Sequence, residues 1–80
     1  MMDSSLHPRP EPGDTVLLRE IPVGLFDRLS AEEQQAISEI VGKPVRLNEY
    51  DDAGRAELEF TDRDGVIRFI YVNPECVFAA

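Results

Sequence analysis

Polar and apolar residues alternate most regularly between residues 44 and 72, where three strand-like runs are separated by two short turn sequences. In the middle run, residues 55–60, Ala, Leu and Phe alternate with Arg and Glu, which is the period of a half-buried β-strand. The turn sequences, 51–54 and 61–65, are rich in Asp and Gly, and Gly65 is expected in the left-handed position of a β-bulge. The stretch therefore predicts a three-stranded antiparallel meander.

The third run, residues 66–72, is apolar on both faces of the predicted strand. One face carries Arg68 with Val66, Ile70 and Val72, and the other carries Ile67, Phe69 and Tyr71. A strand of this kind is either covered on both sides or shows an apolar surface to a partner. This run is therefore the first place to expect a site.

Before the meander, the sequence predicts one strand and one helix. Residues 15–21 form an apolar-rich strand, and residues 30–41 carry apolar side chains at helical spacing. Ser30 is a good N-cap, Glu33 completes a capping box, and Gly42 is the expected C-terminal stop. The helical stripe is expected to cover the sheet.

Both ends of the chain carry proline signals. Residues 73–75 read as one helical or 3₁₀ turn with Pro74 at its first position, followed by a last short strand at 76–78. At the other end, residues 1–13 are rich in proline and predict a disordered tail. The sequence thus predicts a single mainly β domain at 14–80 with one helix.

This order resembles the SH3-like small β-barrel family over residues 13–79. The resemblance rests on Gly13-Asp14-Thr15-Val16 opening the first strand, on the central meander, and on Asn73-Pro74-Glu75 before the closing strand. It implies a five-stranded small barrel with a helix inserted between strands 1 and 2, where many such barrels have a long loop. No binding residue of the family matches this sequence position by position.

The charge balance bears on the class of partner. Sixteen acidic residues against eight basic ones give a formal net charge of −8. Nucleic-acid binding depends on Lys and Arg that neutralise phosphates, and an anionic membrane repels an acidic surface. The sequence therefore predicts no nucleic-acid partner and no membrane partner. If the partner is charged, a cationic protein or peptide is favoured; the alternative is that the acidic charge serves solubility alone.

The cysteine content, the N-terminus and the candidate ligands bear on the compartment and on the chemistry that the chain can perform. The single cysteine, Cys76, forms no internal disulfide, and the N-terminus lacks the pattern of a signal peptide, so we expect a cytoplasmic protein. One His and one Cys exclude a structural zinc site, and the turn aspartates lack the spacing of a calcium loop. No nucleophile or paired carboxylate sits in an expected cleft. We predict no metal, no cofactor and no enzymatic activity.

Five residues form the predicted partner surface, in which aromatic rings lie beside carboxylates: Tyr50, Glu57, Glu59, Phe69 and Tyr71. Such a surface attracts a cationic peptide by cation–π and Coulomb interactions together. The alternative is that the rings simply pack with the helix or border the barrel. The predicted function is a small acidic module for protein–protein interaction or an accessory role. A structural subunit of a homo-oligomer or larger complex is the alternative, and nucleic-acid binding is a less favoured one. The sequence leaves monomer or homodimer open.

Overall fold

A computed structural model describes residues 9–80 of the chain. The strands and helix follow in the order β1 (Thr15–Leu18), α1 (Ala31–Ile40), β2 (Pro44–Tyr50), β3 (Ala56–Thr61), β4 (Ile67–Val72) and β5 (Val77–Ala79). Two short 3₁₀ turns, Leu25–Arg28 and Pro74–Cys76, precede α1 and β5. The first eight residues of the predicted tail lie outside the described residues. No helix among residues 9–80 is long and apolar enough to cross a membrane.

All five strands form one antiparallel sheet in the order β4-β3-β2-β1-β5. The predicted meander corresponds to β2, β3 and β4. Within residues 9–80, β4 and β5 are the edges and do not pair with each other, so the sheet is open. The prediction of a mainly β chain with five strands and one helix is confirmed.

The hydrophobic core lies between the inner face of the sheet and α1. The alternation in β3 is confirmed, because Ala56, Leu58 and Phe60 are buried while Glu57 and Glu59 are only half-buried. The helix contributes three buried side chains, Ala36, Ile37 and Ile40. The other buried apolar residues are Val16, Leu18, Val45, Leu47, Ile70, Val72, Cys76 and Val77.

The two hairpin turns of the meander are built alike. Asp62 Oδ1 accepts from the backbone N–H groups of Asp64 and Val66, both at 2.9 Å. Asp51 makes the same pair of bonds in the preceding turn. Gly65 has φ 83° and so takes the left-handed position expected of it. Local turn chemistry therefore sets both hairpins.

The helix begins with the predicted capping box. Ser30 Oγ accepts from the backbone N–H of Glu33, and Glu33 Oε1 accepts from the backbone N–H of Ser30, each at 3.1 Å. At the other end, the backbone N–H of Gly42 donates to Leu18 O at 2.9 Å, which ties the helix exit to β1. Glu39 pairs with Arg63 of the β3–β4 turn.

The ends of β1, β3, β4 and β5 differ from the sequence prediction, and β3 and β5 each begin and end one residue later than predicted. β1 ends at Leu18 instead of Ile21, because β2 begins at Pro44 opposite Leu17 and β5 begins at Val77 opposite Leu18. β4 begins at Ile67, so Val66 belongs to the turn and stays half-exposed instead of opening the strand. The end of β1 therefore depends on distant strands, whereas the start of β4 is set by the local turn at residues 62–66.

Candidate partner-binding surface

The structure brings four of the five predicted site residues together on the outer face of β3 and β4. Glu57 lies opposite Tyr71, and Glu59 lies opposite Phe69, in the antiparallel register of the two strands. Ile67 continues the row on β4. We call these five residues, Glu57, Glu59, Ile67, Phe69 and Tyr71, the outer surface.

The apolar row of this outer surface is unusually open. Ile67 is 57% exposed, Phe69 53% and Tyr71 41%, and all three lie on an edge strand. The helix does not cover them, since it packs on the opposite face of the sheet. Ile67 was not among the predicted site residues, although its two-residue spacing from Phe69 places it in the same row.

Tyr71 connects the aromatic and acidic parts of the outer surface. Its hydroxyl donates to Glu57 Oε2 at 2.8 Å, and the Arg55 guanidinium lies 5.5 Å from the centre of its ring. The bond to Glu57, together with partial burial and the negative charges of Glu49 and Asp51, raises the pKa of Tyr71. The raised pKa favours the protonated phenol, which is the form that donates to Glu57.

Glu59 is held by a chain of polar contacts from β2. Asn48 Nδ2 donates to Glu59 Oε1 at 3.0 Å, and Arg46 Nε donates to Asn48 Oδ1 at 3.2 Å. The carboxylate is thus oriented on the outer face while remaining half-buried. Its charge is available beside Phe69.

Tyr50, the fifth predicted residue, lies away from the other four. The register between β2 and β3 shifts between Leu47 and Glu49, so Tyr50 pairs with the buried Ala56 and packs against the core. Its hydroxyl donates to Pro10 O at 2.6 Å. A β-bulge therefore moves Tyr50 to the inner side of the sheet, a shift that simple alternation does not reveal.

Beside the outer surface, a cleft of about 230 Å³ separates β4 from α1. Leu29, Glu33 and Ile37 line one wall, and residues 66–70 line the other. A second, more open cleft of about 350 Å³ lies at the C-terminal end of β4, against the connector 22–28. The two clefts follow the same strand.

Arg68 fixes the position of β4 relative to the helix. Its Nε donates to Asp62 Oδ2 at 2.7 Å, and its Nη2 donates to Glu32 Oε1 at 3.1 Å. The backbone N–H of Val66 and the Arg68 guanidinium lower the pKa of Asp62, and Asp62 in turn raises the pKa of Arg68. The strand, its turn and the helix are held together at the cleft.

Residues 9–80 offer few groups for metal binding or nucleophilic chemistry. Among residues 9–80, no group of three or more His, Cys, Asp and Glu side chains is placed to hold a metal ion. Cys76 is buried, and burial raises the pKa of its thiol, which disfavours the reactive thiolate. In comparisons with known proteins, no family model, curated protein or solved structure matches this chain.

Proposed function

We propose that the chain is a small acidic module for protein–protein interaction, and that its outer surface binds a cationic segment of a partner. The observation that carries the proposal is the row Ile67, Phe69 and Tyr71, exposed on an edge strand beside the carboxylates of Glu57 and Glu59. Contiguous exposed apolar side chains mark interaction sites more often than scattered ones do.

The charges favour a basic partner. The net charge of −8 attracts cations at long range, and the two glutamates are close enough to the rings to meet a Lys or Arg side chain lying over them. The Arg55 guanidinium already lies over the Tyr71 ring in this way. The proposal involves no nucleic acid, membrane, cofactor or catalysis.

We also propose a fold family and a cellular compartment for the chain. We assign the domain to the SH3-like small barrels, which the strand order β4-β3-β2-β1-β5 and the 3₁₀ turn Pro74–Cys76 before β5 support. A cytoplasmic location is supported by the single, unpaired cysteine.

A peptide selection tests the proposed function. Phage-displayed random dodecapeptides, panned on the wild-type chain, should become enriched in Lys and Arg. Synthetic copies of the selected peptides should bind Phe69→Ala, and the double variant Glu57→Gln with Glu59→Gln, about tenfold more weakly, a loss near 1.4 kcal/mol.

Matched controls lie elsewhere on the chain. Phe78 is a comparably exposed phenylalanine on the other edge strand, and Glu20 is an exposed acid beyond β1. Phe78→Ala and Glu20→Gln should bind the selected peptides as the wild type does. Equal binding by Phe69→Ala and Phe78→Ala, or no enrichment in basic residues, would overturn the proposal.

Assembly of identical copies is the second candidate, and it is favoured by the same apolar row lying on an unpaired edge. In that case β4 would complete a larger sheet with another subunit. Sedimentation at micromolar concentration separates the two, because a stable wild-type dimer that dissociates in Phe69→Ala supports assembly.

A further inference from the structure

The geometry points to strand addition at the β4 edge: an extended cationic peptide would pair its backbone, antiparallel, with Ile67, Phe69 and Tyr71. The inference rests on the proposed function, because the same peptide would place its basic side chains over the outer surface. It adds the mode of binding and the pattern of the peptide, which are alternate basic and aliphatic residues.

The free backbone groups of β4 follow from its pairing with β3. The backbone N–H of Asp62 donates to Val66 O at 2.9 Å, and hydrogen-bonded pairs alternate along an antiparallel ladder. Counting from that pair, Arg68 and Ile70 bond to β3, while Ile67, Phe69 and Tyr71 direct their N–H and C=O groups away from it. Among residues 9–80, no other strand pairs with that edge.

The far wall of the cleft is held in place. Gln34 Nε2 donates to the carbonyl oxygens of Phe26 and Leu29, both at 3.1 Å, which fixes the connector against the helix. Arg68 bonds to Glu32 and so fixes the helix against β4. An incoming strand therefore meets a preformed cleft, and the entropy cost of ordering the site is small.

The two sides of the added strand would meet different environments. Side chains on the cleft side would face a mainly apolar wall, in which Leu29 and Ile37 flank Glu33. Side chains on the outer side would lie over Phe69 and within reach of Glu57 and Glu59. In antiparallel pairing, directly opposite residues lie on the same face of the sheet. The basic residues would therefore lie opposite Ile67, Phe69 and Tyr71, and their backbone amides would point to β4. Charge complementarity thus favours basic residues on the outer side, and the cleft wall favours aliphatic residues between them, as in a peptide of alternating Lys and Val.

The first test uses amide hydrogen exchange, read by NMR, with the capped heptapeptide Lys-Val-Lys-Val-Lys-Val-Lys as the probe. In the free chain, the amides of Ile67, Phe69 and Tyr71 should exchange fast, whereas those of Arg68 and Ile70 should be protected. Saturating peptide should slow the first three about tenfold or more and leave the other two unchanged. Uniform change along β4, or no change, would overturn strand addition.

The second test uses two N-methylated versions of the same probe. Methylating the Lys amides removes the donors that face β4, so binding should be lost. Methylating the interior Val amides removes donors that face away, so binding should persist. Equal affinity of the two methylated peptides contradicts strand addition, since the side chains of the two peptides are identical.

The outcomes separate this inference from the proposed function. If Phe69→Ala and the Glu57→Gln, Glu59→Gln double variant weaken binding but both methylated peptides bind alike, the outer surface binds its partner without strand addition. If those variants have no effect, the proposed function itself fails. Protection of Ile67 and Tyr71 that rises with protein concentration alone identifies a second copy as the occupant and overturns the peptide inference.

Discussion

The assignment of faces in the meander makes a quantitative prediction at Leu58. This side chain is fully buried in the middle of β3, and its neighbours on the adjacent strands are Leu47 and Ile70, both buried. Truncation to Ala leaves a cavity that the flanking strands cannot close, so Leu58→Ala should cost about 2–5 kcal/mol of unfolding free energy. A chain of 80 residues has only about 4–12 kcal/mol in total.

The matched comparison is Phe69→Ala, on the opposite face of the neighbouring strand. Full burial of a Phe side chain is worth about 1.5–3 kcal/mol, and Phe69 is 53% exposed, so the loss should be about 1 kcal/mol. This variant also serves in the binding experiments, where a small loss shows that the chain remains folded.

Urea denaturation followed by far-UV circular dichroism measures both variants, since the chain has no Trp to report by fluorescence. If Leu58→Ala does not fold, Leu58→Met should fold and lose less than about 1.5 kcal/mol. A larger loss for Phe69→Ala than for Leu58→Ala would show that the buried and exposed faces of the sheet are the reverse of those described.

Two further predictions concern titratable groups. The pKa of Asp62 is lowered in the folded chain, so its contribution to stability is present above about pH 4 and is lost as the pH falls further. In Asp62→Asn, the free energy of unfolding should therefore fall less steeply as the pH drops below about 4. A pH dependence equal to that of the wild type would contradict the stabilising contribution of the Asp62 carboxylate. Burial raises the pKa of the Cys76 thiol, so iodoacetamide at pH 8 should alkylate it far more slowly in the folded chain than in urea. Mass spectrometry measures the two alkylation rates. Equal rates in the folded chain and in urea would show that the thiol is accessible in the fold.

The features that the sequence predicted correctly have local causes. The capping box of Ser30 and Glu33 needs only residues three apart. The second hairpin needs Asp62 to accept two nearby backbone N–H groups and Gly65 to adopt a positive φ. The alternation of residues 55–60 likewise fixes which face of β3 is buried.

The candidate site was only partly predictable. The sequence placed Phe69 and Tyr71 on one face and the glutamates beside them, and the register of β3 with β4 brings them together. It left open whether the helix covers the rings, because a strand apolar on both faces fits either arrangement. Alternation alone also groups Tyr50 with them, because the β-bulge beside Asn48 has no clear signature in the sequence.

The strand-rich pattern, the capped helix, both turns and the two faces of β3 follow from the sequence alone, because each depends on residues within a few positions of one another. The three-dimensional arrangement is needed to show that β4 is an edge, that α1 lies on the face away from Ile67 and Phe69, and that a cleft separates β4 from α1. These features depend on which distant segments pair. Whether a strand lies at an edge is defined by the pairing of all the strands in the sheet, and not by its own sequence.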